Sequence, residues 1–203
     1  MKNKLAAACA LGILILASGN VYSADKDAGN HNFSTRLSGF NEVHFVTGNP
    51  TATPVEPPAI RGAISTKAKG TFRAKLREGS DVIDYDLSYE GLEGTVRQAH
   101  IHFGQRSTVG GIVVWLCQTT ANMAPSSPPE VASTPICPAQ GTVSGTIVPA
   151  QVLAQTAQGI AAGEFAELVR ALRAGAAYAN VHSSLHTPGE IRGQIRSSQE
   201  NRN

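Results

Sequence analysis

The sequence predicts an all-β fold, an antiparallel Greek-key-like sandwich or barrel with one or two short helices inserted before the last strands. Three observations point there. Short segments alternate apolar and polar residues with a period of two, as half-buried strands do. Turn residues punctuate them at close intervals, with 20 glycines and 11 prolines in 203 residues. Charged residues make up only 16%, below the roughly 25% usual in globular chains, which argues against a charge-laced helical bundle.

The elements follow in order. Phe33, Thr35 and Leu37 alternate and run into a Ser38-Gly39 turn. Residues 46–62 hold Pro50, Pro54, Pro57 and Pro58 and read as a long loop. Phe72, Ala74 and Leu76 alternate with Arg73 and Lys75; after the turn residues 78–81, Ile83, Tyr85, Leu87 and Tyr89 alternate with Asp84, Asp86 and Ser88. That pattern is a hairpin. Further strands are expected at 95–103, 111–117, 141–147, 177–183 and 190–195. Trp115 falls in one of them and is expected in the core. Phe165, Leu168, Val169 and Leu172 instead follow helical spacing, with Glu164 and Glu167 near the start, Arg170 and Arg173 near the end, and Gly175 as the stop. Residues 149–158 are expected to form a second short helix, with Pro149 in its first turn.

Residues 1–23 read as a secretory signal peptide: Lys2 and Lys4, the apolar run Leu5–Ala17, then small residues before a cut at Ser23/Ala24. The alternative is an uncleaved N-terminal anchor. Cleavage would leave a flexible stretch at 24–31, a domain at 32–196 and a flexible tail at 197–203, with no stable membrane span. It also removes two of the 17 basic residues, leaving 15 against 15 acids. A neutral chain lacks the overall basic excess of a typical nucleic-acid binder, so that partner class is excluded. The location expected is periplasmic or secreted.

Export permits a disulfide between Cys117 and Cys137, closing a Pro- and Ser-rich loop expected to have little structure of its own. Such a bridge contributes roughly 3 kcal/mol in the chain-entropy picture. The rival, a two-cysteine metal site, lacks a second ligand pair at zinc-finger spacing.

Five stretches together resemble a CHRD domain, the module named after chordin. They are Leu37–Val43 (LSGFNEV), Leu87–Leu92 (LSYEGL), Ala99–Gly104 (AHIHFG), Gly175–His182 (GAAYANVH) and Pro188–Gln194 (PGEIRGQ). The resemblance covers about residues 32–196. It departs after Val43, where His44-Phe45 and a Pro-rich insert stand in place of the expected prolines. The loop between the two cysteines is also longer than in the shortest members. The resemblance implies an extracytoplasmic β-sandwich or barrel and, by itself, no mechanism.

Chemistry concentrates in the histidines. His100 and His102, two apart on a strand, project from one face, and their backbones lie roughly 6.5–7 Å apart. His182 lies on another strand and alternates with Ala179 and Val181. Three imidazoles suit copper, with zinc second. His186 or Glu190 is placed to supply a fourth ligand from the adjoining loop. The His-x-His and later Val-His also bear a distant similarity to the copper-ligand strands of copper–zinc superoxide dismutases. That family's bridging histidine and zinc-loop ligands have no counterpart here, so dismutase activity is not implied.

The alternative is that these histidines are polar residues on a solvated face or in a buried hydrogen-bond network. Glu190 and Arg192 share a face of the last strand. Either they form an ion pair, or Glu190 orients a ligand histidine while Arg192 attracts an anion. Ser183 and Ser184 lie near His182 and His186, but no acidic orienting residue or nucleophile elbow accompanies them. Two functions remain: a protein binding one copper-like ion, with redox chemistry open to it, or a metal-free module in which loops 46–62 and 118–140 hold an extracytoplasmic protein or surface partner.

Overall fold

The structure is a computed structural model that describes residues 31–46, 51, 53–54 and 59–198. The expected leader 1–23, most of the expected N-terminal stretch, and residues 199–203 lie outside the described residues.

Eleven strands are described: β1 Asn32–Ser38, β2 Val43–Val46, β3 Ala59–Gly62, β4 Lys69–Leu76, β5 Ile83–Glu90, β6 Val96–Phe103, β7 Gly111–Cys117, β8 Gly141–Ile147, β9 Ala177–Ser183, β10 Ile191–Gln194 and β11 Arg196–Ser197. One antiparallel sheet runs β7-β6-β9-β10-β1-β4-β5-β8, with β11 also pairing β1. It curls into a nearly closed barrel or sandwich. The Tyr85 hydroxyl on β5 donates to the Leu116 carbonyl on β7 at 2.6 Å, which ties one half of the sheet to the other across the core.

The alternation seen in the sequence becomes an inside and an outside. Phe33, Leu37, Phe72, Ile83, Leu87, Ile101, Val181 and Ile191 are buried in one core. Helix α2, Phe165–Arg173, adds Phe165, Leu168, Val169 and Leu172 to the same core. Gly175 ends it at φ 63°, a left-handed conformation that glycine adopts without strain.

Four expectations change. Part of the 46–62 loop is paired: β2 and β3 form a separate two-stranded ribbon, with Val43 opposite Gly62 and Val46 opposite Ala59. Each strand is only four residues long, too short to show a period among the flanking prolines. The helix expected at 149–158 is two 3-10 turns, Pro149–Gln151 and Thr156–Gln158. Between them Leu153 donates to Val113 on β7, and Gln155 bridges to Ile160, so no continuous helical ladder forms. The domain also runs past 196, because Ser197 pairs with Phe33 and is buried.

The loop between the cysteines is organised rather than loose. Cys117 and Cys137 form the disulfide. Between them Pro129–Ala132 makes a one-turn helix, α1. The buried Gln118 side chain donates to the Ala132 and Thr134 carbonyls and accepts from the Ala124 N–H, holding both arms of the loop. Such side-chain bonds satisfy backbone groups that no strand ladder serves.

Candidate metal centre

The site lies on the face of β6, β9 and β10 that points away from the core. In β6, Ala99 and Ile101 face inward and His100 and His102 outward. Register places His100 opposite Asn180 of β9, His102 opposite Tyr178, and Gln98 opposite His182. Tyr178, Asn180 and His182 therefore share the face of the β6 histidines. His182 is the diagonal neighbour of His100, within reach for an aromatic ring.

Every residue of β9 is buried. Its inner face packs in the core, and three segments cover its outer face: the 3-10 turn Gly39–Asn41 with Glu42, the 104–110 turn, and the 184–190 loop. Arg192 fastens the 104–110 turn by donating to the Thr108 and Gln105 carbonyls at 2.6 and 3.0 Å. Gly110 permits close approach there, since a Cβ would collide with the Phe103 carbonyl. Gly189, at φ 144°, packs against Glu42 and Asn180 where a side chain would clash.

His100, His102 and His182 form one group. One ring nitrogen from each lies within 4.8 Å of the others. Ring centroids are 4.9 Å apart for His100–His182, 5.4 Å for His100–His102 and 6.1 Å for His102–His182. Nitrogens bound to one ion at about 2.0–2.1 Å stand roughly 3.3 Å apart in a tetrahedron, so modest ring rotations close the set.

The hydrogen bonds fix the tautomers. A carbonyl only accepts, so His102 Nδ1 donates to Gly110 at 3.0 Å and His182 Nδ1 donates to Thr187 at 2.9 Å. Both rings then carry their lone pair on Nε2. His182 Nε2 accepts from His100 Nδ1 at 3.2 Å. The Nε2 atoms of His100 and His102 are buried without a partner. His102 thus combines an Nδ1–H anchored on a backbone carbonyl with a free Nε2, the arrangement by which proteins orient ligand histidines.

Electrostatics keep the rings neutral. Burial lowers His102 to about 3 and His182 to about 4, and it lowers His100 well below the ordinary value, helped by His182 and His102. At neutral pH no ring carries a second proton, so each keeps one lone pair; that of His182 is held by His100 Nδ1–H until an ion displaces it.

Aromatic rings frame the group. Trp115 meets His100 edge-on at 4.3 Å, and Tyr178 stacks on His102 at 4.7 Å with planes 1° apart. The Arg192 guanidinium carbon lies 3.3 Å from the Tyr178 ring centroid. A cavity of about 290 Å³ lined by Glu42, Val109, Tyr178, Asn180 and Pro188 reaches His102. Glu42 accepts from the Asn180 amide and the Val43 N–H; burial raises its carboxyl to about 7 despite these bonds.

The other expected residues stand apart from the three rings. His186 contacts Glu93 at 3.2 Å and is outside the group. Glu190 and Arg192 make no ion pair among the described residues. Glu190 instead receives the Thr66 hydroxyl and the Glu93 N–H on one oxygen, both at 2.8 Å, while its other oxygen is buried without a hydrogen-bond partner. Arg192 is almost fully buried and its donors go to carbonyls, so it presents no open cation to an anion. Ser183 and Ser184 accept backbone N–H groups in the loops. Trp115 lies on the histidine face because two irregularities in the β6–β7 register break the alternation of β7. Glu42 and Tyr178 were not singled out from the sequence. Glu42 does stand in the Leu37–Val43 stretch, but its partner Asn180 is 138 residues away.

Fold and site together define an antiparallel β domain with a buried histidine cluster under loop cover. The CHRD domain family matches residues 33–195, and the chain belongs to that family. No curated protein and no solved structure is detectably similar to it. Family membership and the disulfide support an extracytoplasmic β domain. No helix among the described residues is long and apolar enough to cross a membrane.

Proposed function

We propose that this chain is an exported CHRD-type protein that binds one copper-like ion through His100, His102 and His182. The observation that carries the reading is the trio of neutral, buried imidazoles, two of them held by Nδ1–H bonds to carbonyls, with two unpartnered Nε2 atoms. Leaving a buried acceptor unsatisfied costs about 1–3 kcal/mol, which an ion would offset. An all-imidazole set without thiolate or carboxylate suits copper and zinc alike in ligand type, and the affinity order of divalent ions puts copper first. Bound there, copper would supply one-electron chemistry toward small molecules entering through the cavity beside His102.

The chain's own residues define the rest. Gly110 and Thr187 orient the His102 and His182 rings, Trp115 packs edge-on against His100 and Tyr178 stacks on His102, and Glu42 sets a titratable group at the cavity wall. His186 and Glu190 support the covering loops through Glu93 and Thr66 and enter the reading as positioning residues. A second reading, a metal-free extracytoplasmic binding module, draws on the exposed Phe40 and Met123 side chains.

The test is metal content. Mature protein loaded with copper or zinc and desalted should retain one ion per chain by elemental analysis. A His100→Ala/His102→Ala variant should retain none. No retention by the wild type, or equal retention by the variant, moves the weight to the binding module.

A further inference from the structure

Four arginines gather on the outer face of the sheet, away from the histidine rings. Ser34 on β1 pairs with Arg196 of β11 on one side and with Arg73 of β4 on the other. Strands lie about 4.8 Å apart, so the Arg196 and Arg73 backbones flank Ser34 at a separation of roughly 10 Å. Arg36 follows two residues along β1 on the same face, and Arg106 comes from the 104–110 turn. All four are exposed, and they line one groove of about 510 Å³.

Three features mark this groove as a receptor for anions. None of the four guanidinium groups makes an ion pair or a side-chain hydrogen bond among the described residues. No Asp or Glu lines the groove. Asp86, opposite Arg73 in the register, receives the Ser144 hydroxyl at 2.5 Å and lies outside the lining. Repulsion among free cations at close quarters is tolerated at a surface but favours an anionic occupant. The mature chain carries no overall basic excess to account for such a concentration.

The lining also selects the kind of anion. Between the arginines stand Ser34, Asn41 and Thr71, neutral groups that exchange hydrogen bonds with hydroxyls. The groove's one aromatic residue, Phe72, is fully buried, so its own lining offers no ring for a nucleobase. The exposed Phe40 stands in the adjoining cavity that shares Asn41, Arg106 and Gln194, which makes an oligothymidine a necessary probe. Guanidinium forks match carboxylate and sulfate oxygens in pairs.

We propose that the groove bounded by Arg36, Arg73, Arg106 and Arg196 binds a strand of acidic polysaccharide, the guanidinium groups taking its carboxylates or sulfates and the hydroxyl and amide side chains its sugar hydroxyls. The groove and the histidine group share no residue, so the inference stands apart from the metal reading.

The experiment titrates mature protein with polygalacturonate, dextran sulfate, neutral dextran and an oligothymidine at low salt, by calorimetry or affinity electrophoresis. Binding to at least one acidic glycan and none to neutral dextran is expected, and the two acidic probes tell carboxylate from sulfate. An Arg73→Gln/Arg196→Gln variant should bind about five- to thirtyfold more weakly, the product of two exposed charge contacts. Arg170→Gln on α2 should change nothing, and metal retention should be the same in every variant. If the double variant melts early, Arg36→Gln/Arg106→Gln carries the same expectation. Absence of binding to both acidic glycans, unchanged affinity in a folded double variant, or tighter binding of the oligothymidine would each overturn the proposal.

Discussion

Acidifying the metal-free protein from pH 7 to pH 4 sets the buried imidazoles against the fold. In the unfolded chain each histidine titrates near 6.5. In the folded chain burial holds His102 at about 3 and His182 at about 4. Between pH 6.5 and 4 the unfolded chain takes up protons that the folded chain refuses, so stability falls as pH falls. By pH 4 each of these two rings costs roughly 3 kcal/mol at 1.36 kcal/mol per pH unit, and His100 acts in the same direction. Glu42 opposes them. Its carboxyl, raised from 4.5 to about 7, takes a proton first in the folded state, which returns roughly 3 kcal/mol over the same range. Three rings against one carboxyl leave a net loss of about 3 kcal/mol or more, a large share of the 5–15 kcal/mol typical of a domain. Urea unfolding at half-unit pH steps should show stability level near pH 7 and dropping steadily below pH 6. A His102→Gln/His182→Gln variant should show a shallower drop. A flat profile from 6.5 to 4, or the same slope in that variant, would refute the reasoning.

Four further outcomes are expected. Metal affinity measured by competition should change little between pH 8 and 5, since the rings are already neutral; a site of exposed imidazoles would lose about tenfold per ring per pH unit below 6.5. Gln118→Leu removes three bonds to the loop between the cysteines and orphans its carbonyls, so urea unfolding should show a loss of roughly 2–4 kcal/mol with metal retention intact. Gly110→Ala drives a methyl into the Phe103 carbonyl and shifts the acceptor of His102 Nδ1; a loss of about 1–3 kcal/mol and weaker metal binding should appear together, by thermal unfolding and competition. Native mature protein should be inert to thiol reagents until reduced, by a colorimetric thiol count.

Much of this was legible in the sequence, for a physical reason in each case. A period of two over seven or eight residues marks β4 and β5 because one face is buried and the other wet. The same period puts His100 and His102 on one face. The 82 residues separating His100 from His182 hide their meeting, because register across β6 and β9 is set by tertiary packing. The loop cover left no trace for the same reason: Glu42 reaches Asn180, and Arg192 reaches Thr108, through contacts distant in sequence. Trp115 misled because a bulged strand breaks its own alternation; Val113 and Val114 are both buried in succession. Glu190 and Arg192 sit two apart as read, yet Glu190 takes the Thr66 hydroxyl and the Glu93 N–H while Arg192 gives its donors to the Thr108 and Gln105 carbonyls.

The central claim, that three imidazoles meet on one ion, is tested most directly by X-ray absorption and pulsed electron paramagnetic resonance on the copper-loaded mature protein. Three histidine nitrogens in the first coordination sphere, falling to two in a His182→Ala variant, is the result predicted. Fewer than three histidine nitrogens in the unmutated protein, or a spectrum untouched by the loss of His182, would contradict it.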